Sequence, residues 1–198
     1  MRPHHVYTDN SRGLKKAFEE KGWAADTSVP HRSETNGQAE SAVRKVKEGT
    51  SSALVQSGFL ESWWSEAMAC YWFLRTVYDK LENHKTPYEI RFGEPGPIIP
   101  FGAEMSYKSI SDKDKARLPS FGAGLLSGIF VGYKQHAGGG WTGDLLVADW
   151  DEIENAQTPS QVHVKTFKAG EVFPMTLESG NFIFPMFEGA LKKTRSCS

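Results

Sequence analysis

The chain has 198 residues, room for one medium domain or two small ones. Hydrophobic residues make up 39% and charged residues 24%, ordinary for a soluble globular protein, and a net charge of −1 excludes a global basic field, so any nucleic-acid surface has to be local. Cys70 and Cys197 fit no metal or disulfide framework, no apolar run approaches membrane-spanning length, and residues 1–5 carry no hydrophobic signal region. An intracellular protein with no membrane partner is the plain reading.

Residues 5–8 read as a short strand with Asp9 at its end. Asn10 or Ser11 can cap a helix running to about Lys21, with Leu14, Ala17 and Phe18 on one apolar face, and Gly22 stops it. A second short strand over 24–29 is ended by Pro30. The polar loop 31–36 leads to a long helix over 37–56, with Ala39, Val43, Val46, Thr50, Ala53 and Leu54 on one side. The next helix, over 61–81, carries Trp63, Trp64, Ala67, Met68, Tyr71, Trp72, Leu74, Val77 and Tyr78. So wide an apolar face predicts burial on two sides, with Trp63 and Trp64 both in the core. A Pro/Gly-rich passage over 86–100 marks the best domain boundary. Beyond it, short strands over 103–110, 126–133, 144–151 and 161–167, with a turn at Gly138-Gly139-Gly140, predict a small antiparallel barrel. The tail from about 177 has no usable period.

Asp9 and Glu40 are the residues with the sharpest chemical content. An aspartate closing a strand and a carboxylate just inside a basic helix are the parts of many Mg²⁺-dependent phosphoryl-transfer sites, because hard cations need oxygen ligands on rigid elements. Glu40, Arg44 and Lys47 share one helical stripe, which would let a carboxylate face a metal while two cations reach a phosphate backbone. The same spacing also reads as a Glu–Arg surface pair worth about 0.3–0.5 kcal/mol. Asp9-Asn10-Ser11 likewise reads as a helix-capping string. Elsewhere the sequence offers little chemistry. Residues 122–128 lack the spacing of a dinucleotide fingerprint, and Ser127 lacks the setting of a hydrolase nucleophile. Asp149, Asp151, Glu152 and Glu154 read as a solvated turn, and 192–195 as a short basic tail.

Thr8-Asp9-Asn10, Pro30-His31 and Asn36-Gly37-Gln38-Ala39-Glu40, in that order, resemble the integrase catalytic core of copia-like LTR retrotransposons, a branch of the retrovirus-related Pol polyproteins. The likeness continues through the tryptophan-bearing helix, then Lys85-Thr86-Pro87-Tyr88-Glu89 with Phe92-Gly93-Glu94-Pro95, and then Gly128 to Tyr133 and Val172-Phe173. The resemblance implies an α/β fold: a partial RNase-H-like core over 1–82, a connector over 83–100, an SH3-like β-barrel over 101–174 and an unassigned tail over 175–198. It implies Asp9 and Glu40 as catalytic, metal-binding carboxylates for Mg²⁺ or Mn²⁺, with Glu34 a lesser alternative. Arg44, Lys47 and the loop residue His31 would contact DNA. The implied parent is a homo-oligomeric enzyme that joins element ends to target DNA by strand transfer, in the nucleus.

Members of that family carry three such carboxylates. None of the residues before Asp9 is acidic, and the step from Asp9 to Glu40 is shorter than the family usually shows. The expectation is a chain inactive on its own. Two other readings stand beside it: a non-catalytic nucleic-acid-binding module and a decayed transposon remnant.

Overall fold

The computed structural model describes residues 6–8, 11–27, 37–118, 120–122, 124–156 and 158–189. The chain divides into two compact units, Met1–Lys45 and Val46–Ser198. In the first, β1 (Val6–Thr8) and β2 (Ala25–Thr27) pair in parallel, Val6 opposite Ala25 and Thr8 opposite Thr27. A parallel pair needs a crossover, and α1 (Arg12–Lys21) supplies it. Ser11 takes the N-cap position without a side-chain capping bond. At the other end Gly22 turns left-handed at φ 62°, as expected. Its N–H reaches the Glu19 carbonyl at 3.1 Å, and the Trp23 N–H reaches the Phe18 carbonyl at 3.0 Å. The Phe18 and Trp23 rings stack across this cap, which satisfies carbonyls the helix leaves unpaired. No residue of α1 is buried.

The helix α2 (Gly37–Ser57) contains the division between the units. Within the second unit its Thr50 and Leu54 are buried. A side chain at Gly49 would overlap the Tyr71 ring, so α2 and the following helix approach closely. A 3-10 turn (Glu61–Trp63) leads into α3 (Trp64–Tyr78). Trp63, just before α3, and Ala67, Cys70, Phe73 and Val77 within it form one buried stripe, part of a core shared with Ile129, Phe130 and Val131. The two-sided burial expected of this helix does not occur: Trp64 and Trp72 are 56% and 53% exposed, and Met68 is exposed as well. The helix also stops early, at Tyr78, where Arg75 pairs with Asp79 at 2.7 Å.

The Thr86-Pro87-Tyr88-Glu89 string is a helix start. Thr86 Oγ1 accepts from the Glu89 N–H at 3.1 Å, and the Thr86 N–H donates back to Glu89 Oε2 at 2.7 Å, opening α4 (Pro87–Phe92) with proline in its first turn. The connector is then clamped onto the sheet. The Tyr133 hydroxyl accepts from the Ile99 N–H at 2.6 Å and donates to its carbonyl at 2.8 Å.

The sheet contains β3 (Glu104–Lys108), β4 (Leu125–Gln135), β5 (Trp141–Asp149), β6 (Val164–Lys168) and β7 (Val172–Pro174), all antiparallel, in the order β6-β5-β4-β3-β7. The short helices α5 (Asp112–Lys115) and α6 (Trp150–Asn155) follow β3 and β5. The described ladders leave the sheet open at β6 and β7, so the closed barrel expected from the sequence is not formed among the described residues. The last strand has three residues, and its Pro174 cannot donate to a ladder. The tail, unreadable by period, is held by pairing. The Met175 N–H reaches the Glu104 carbonyl and the Glu104 N–H the Ile183 carbonyl, both at 2.9 Å, while α7 (Pro185–Glu188) buries Pro185 and Met186. No helix among the described residues is long and apolar enough to cross a membrane.

Candidate nucleic-acid interface and a buried carboxylate network

Asp9, His31 and the alternative ligand Glu34 lie outside the described residues. Glu40 sits in the first turn of α2 and is exposed, a position where the positive end of the helix dipole favours a carboxylate. Arg44 is one turn further along and exposed; both belong to the first unit. Lys47, also exposed on α2, belongs to the second. Among the described residues, no group of three or more His, Cys, Asp or Glu side chains is gathered as a metal ion requires.

The second unit gathers charge where the sequence read only a solvated turn. Asp149 is fully buried at the end of β5. Its carboxylate accepts from Arg117 through two bonds of 2.7 and 3.2 Å, from Lys165 at 3.3 Å, and from the Tyr107 hydroxyl. It also caps α6, accepting from the Asp151 N–H at 3.0 Å and the Glu152 N–H at 3.4 Å. Lys165 continues to Asp114 at 3.0 Å, and Arg117 to Asp151 at 2.5 Å. Burial opposes the Asp149 charge, but the hydrogen bonds from Arg117 and Tyr107, with the charges of Lys165 and Arg117, outweigh it and hold the carboxyl well below the usual range. The Tyr107 hydroxyl is pushed up to about 12, by burial first and then by its bond to Asp149.

Asp149, Arg117, Lys165, Asp114 and Asp151 of this network line an open cavity of about 760 Å³, together with Ile110, Lys113, Asn155, His163 and Phe167. Of the four acidic residues in the string, Asp151 and Glu154 are exposed as expected and Asp149 is not. The missed signal is weak in sequence: an aspartate ending an apolar strand run and followed by a helix, the pattern of an N-cap.

No family model matches the chain, and no curated protein does. Among solved structures it is distantly similar to a chain in the cryoEM structure of the simian T-cell lymphotropic virus intasome in complex with PP2A regulatory subunit B56 gamma, at 15% identity and a TM-score of 0.38. The match covers 89% of this chain and 59% of that one, so this chain spans less than two thirds of the length of the chain it matches.

Proposed function

We propose that the chain is part of a copia-like retroelement integrase, whose intact parent joins element DNA to target DNA by metal-dependent strand transfer. The observation that supports this reading is the start of α2: Glu40 exposed in the first turn, with the exposed cations Arg44 and Lys47 following on the same helix. Glu40 stands in the Asn-Gly-x-x-Glu string, behind a strand, a crossover helix and a second strand in parallel. In this reading Asp9 and Glu40 hold Mg²⁺ or Mn²⁺, which would polarise a phosphodiester. Arg44, Lys47 and His31 contact the DNA backbone. The domain limits 1–82, 83–100, 101–174 and 175–198 belong to the same proposal, with the five-stranded sheet as an SH3-like element.

The test is the salt dependence of duplex DNA binding by the whole chain. Each phosphate contact contributes about −0.9 to the slope of log K against log salt. The expected result is measurable binding at low salt, with the Arg44→Ala and Lys47→Ala double variant losing about 1 to 2 from the magnitude of that slope. Absent binding at low salt, or an unchanged slope, would overturn the reading. Glu40→Gln is expected to weaken Mn²⁺ binding measured by calorimetry while leaving the DNA slope in place, which separates the metal role from the phosphate role.

A further inference from the structure

We propose that the outer edge of β6 is a docking site for an extended segment of a partner protein, which adds a strand to the sheet and sends a lysine or arginine side chain into the cavity beside Asp151 and Glu152. The proposal rests on the second unit alone and does not depend on DNA binding. Among the described residues the sheet ends at β6 and β7, and the two edges are not alike. β7 has three residues, contains Pro174, and continues into a bridge between Thr176 and Phe182. Shortness and proline are ordinary ways to blunt an edge. β6 has five residues, no proline and an unbroken register against β5. At about 3.3 Å per residue it offers roughly 17 Å of ladder.

The cavity of about 760 Å³ reaches this edge. Lys165, Thr166 and Phe167 all line it, although neighbouring side chains of a strand point to opposite faces of the sheet. One face cannot present all three, so the cavity meets β6 from its side. The backbone agrees. Residues of an antiparallel strand turn their N–H and C=O alternately toward the neighbour and away from it. The His163 N–H donates to Glu152, on the helix that follows β5, at 2.9 Å, so His163 turns to the β5 side. The Lys168 N–H is taken instead by Glu171 at 3.0 Å. The same alternation sends the backbone groups of Val164 and Thr166 off the free edge, with Thr166 at the cavity.

Charge selects the occupant. Carboxylates, from Asp114, Asp149, Asp151 and Glu152, outnumber the ammonium and guanidinium groups that line the cavity. Lys165 spends its three donors on Asp114, Asp149 and the Tyr107 hydroxyl, and Arg117 is divided between Asp149 and Asp151. The carboxylates are not filled in the same way. Asp151 receives Arg117 on Oδ2 and Glu152 receives the His163 N–H on Oε2, which leaves acceptor positions on both. What the cavity lacks is a positively charged donor. A lysine or arginine on an added strand meets that need, its aliphatic stem along Ile110, which is 55% exposed, and its head beside the two carboxylates. Lys168 does not repel it, because its ammonium pairs with Asp144 at 2.5 Å. In strand addition the main chain supplies affinity and alternate side chains supply the choice of partner.

Selection of a displayed random heptapeptide library on the full chain tests this. The expected binders carry one lysine or arginine among β-branched residues. A synthetic copy of such a binder should bind in fluorescence anisotropy, and norleucine in place of its basic residue should weaken it about tenfold. N-methylation of the peptide separates strand addition from other modes. Methyl groups on the nitrogens that pair with β6 should abolish binding, and methyl groups one residue along should leave it. In the protein, Asp151→Asn with Glu152→Gln should weaken the peptide about tenfold at unchanged circular dichroism, and Thr166→Pro, which removes an outward N–H, should abolish it. A selection that yields no binder, or only acidic or proline-rich ones, overturns the proposal. So does N-methylation without an alternating effect, or a basic residue whose replacement changes nothing.

Discussion

The two units of this chain divide the information between them. The first, Met1–Lys45, carries the residues whose chemistry is legible at once, yet α1 within it has no buried residue. The second, Val46–Ser198, carries no recognisable catalytic string, yet it holds a continuous core from Leu54 to Met186 and a buried carboxylate with five donor groups around it. A functional motif needs only the right residue types in the right order. A core needs volume, and volume comes from elements distant in sequence. The part that reads most clearly is therefore not the part that is held most firmly.

The sharpest way to break that contrast is at Asp149. Asp149→Ala leaves Arg117 and Lys165 partly buried with one carboxylate fewer. We expect a loss of about 3 kcal/mol, at the lower end for a broken buried pair because Asp151 and Asp114 stay in place. Urea unfolding followed by tryptophan fluorescence measures it. The pH dependence follows the same carboxylate. Its folded pKa is depressed, so its stabilisation is complete above the ordinary carboxylate range near about pH 4 and is lost as pH falls toward the lower folded value. Acid titration of the unfolding midpoint should show this loss in the native chain and a shallower one in the Asp149→Ala variant.

Thr86→Ala removes one half of a reciprocal cap and should cost about 1 kcal/mol in the same urea titration, while the Glu89 acceptor keeps its backbone donor. Smallest of all, Arg44→Ala and Lys47→Ala should shift stability by less than about 0.5 kcal/mol, being exposed positions on α2. They should nevertheless change DNA binding. A large stability loss there, or none at Asp149, would reverse the comparison.

Much of the helical framework was legible. Gly22 ended α1, Gly37 opened α2, and the strand after the Pro/Gly passage began within one residue of its expected place. Less could be read of how many sides a helix buries. The row from Trp63 to Tyr78 is apolar nearly all round, and periodicity identifies a face without counting its neighbours. Trp63 and Trp64 are adjacent and chemically identical, yet one is 6% exposed and the other 56%, because only Trp63 points at Phe59 and the sheet-side core.

By itself the sequence determined the strand–helix–strand order of β1, α1 and β2, the glycine that ends α1, and the position of Glu40, Arg44 and Lys47 on one helix. These are local properties, set by dihedral preference and spacing over a few residues. Only the tertiary structure decided that the described sheet is open, that Trp64 and Trp72 face outward, and that Asp149 is the buried centre of a charge network. Its partners Tyr107, Arg117 and Lys165 stand 42, 32 and 16 positions away, and a carboxylate's environment is fixed by whichever groups the chain folds against it.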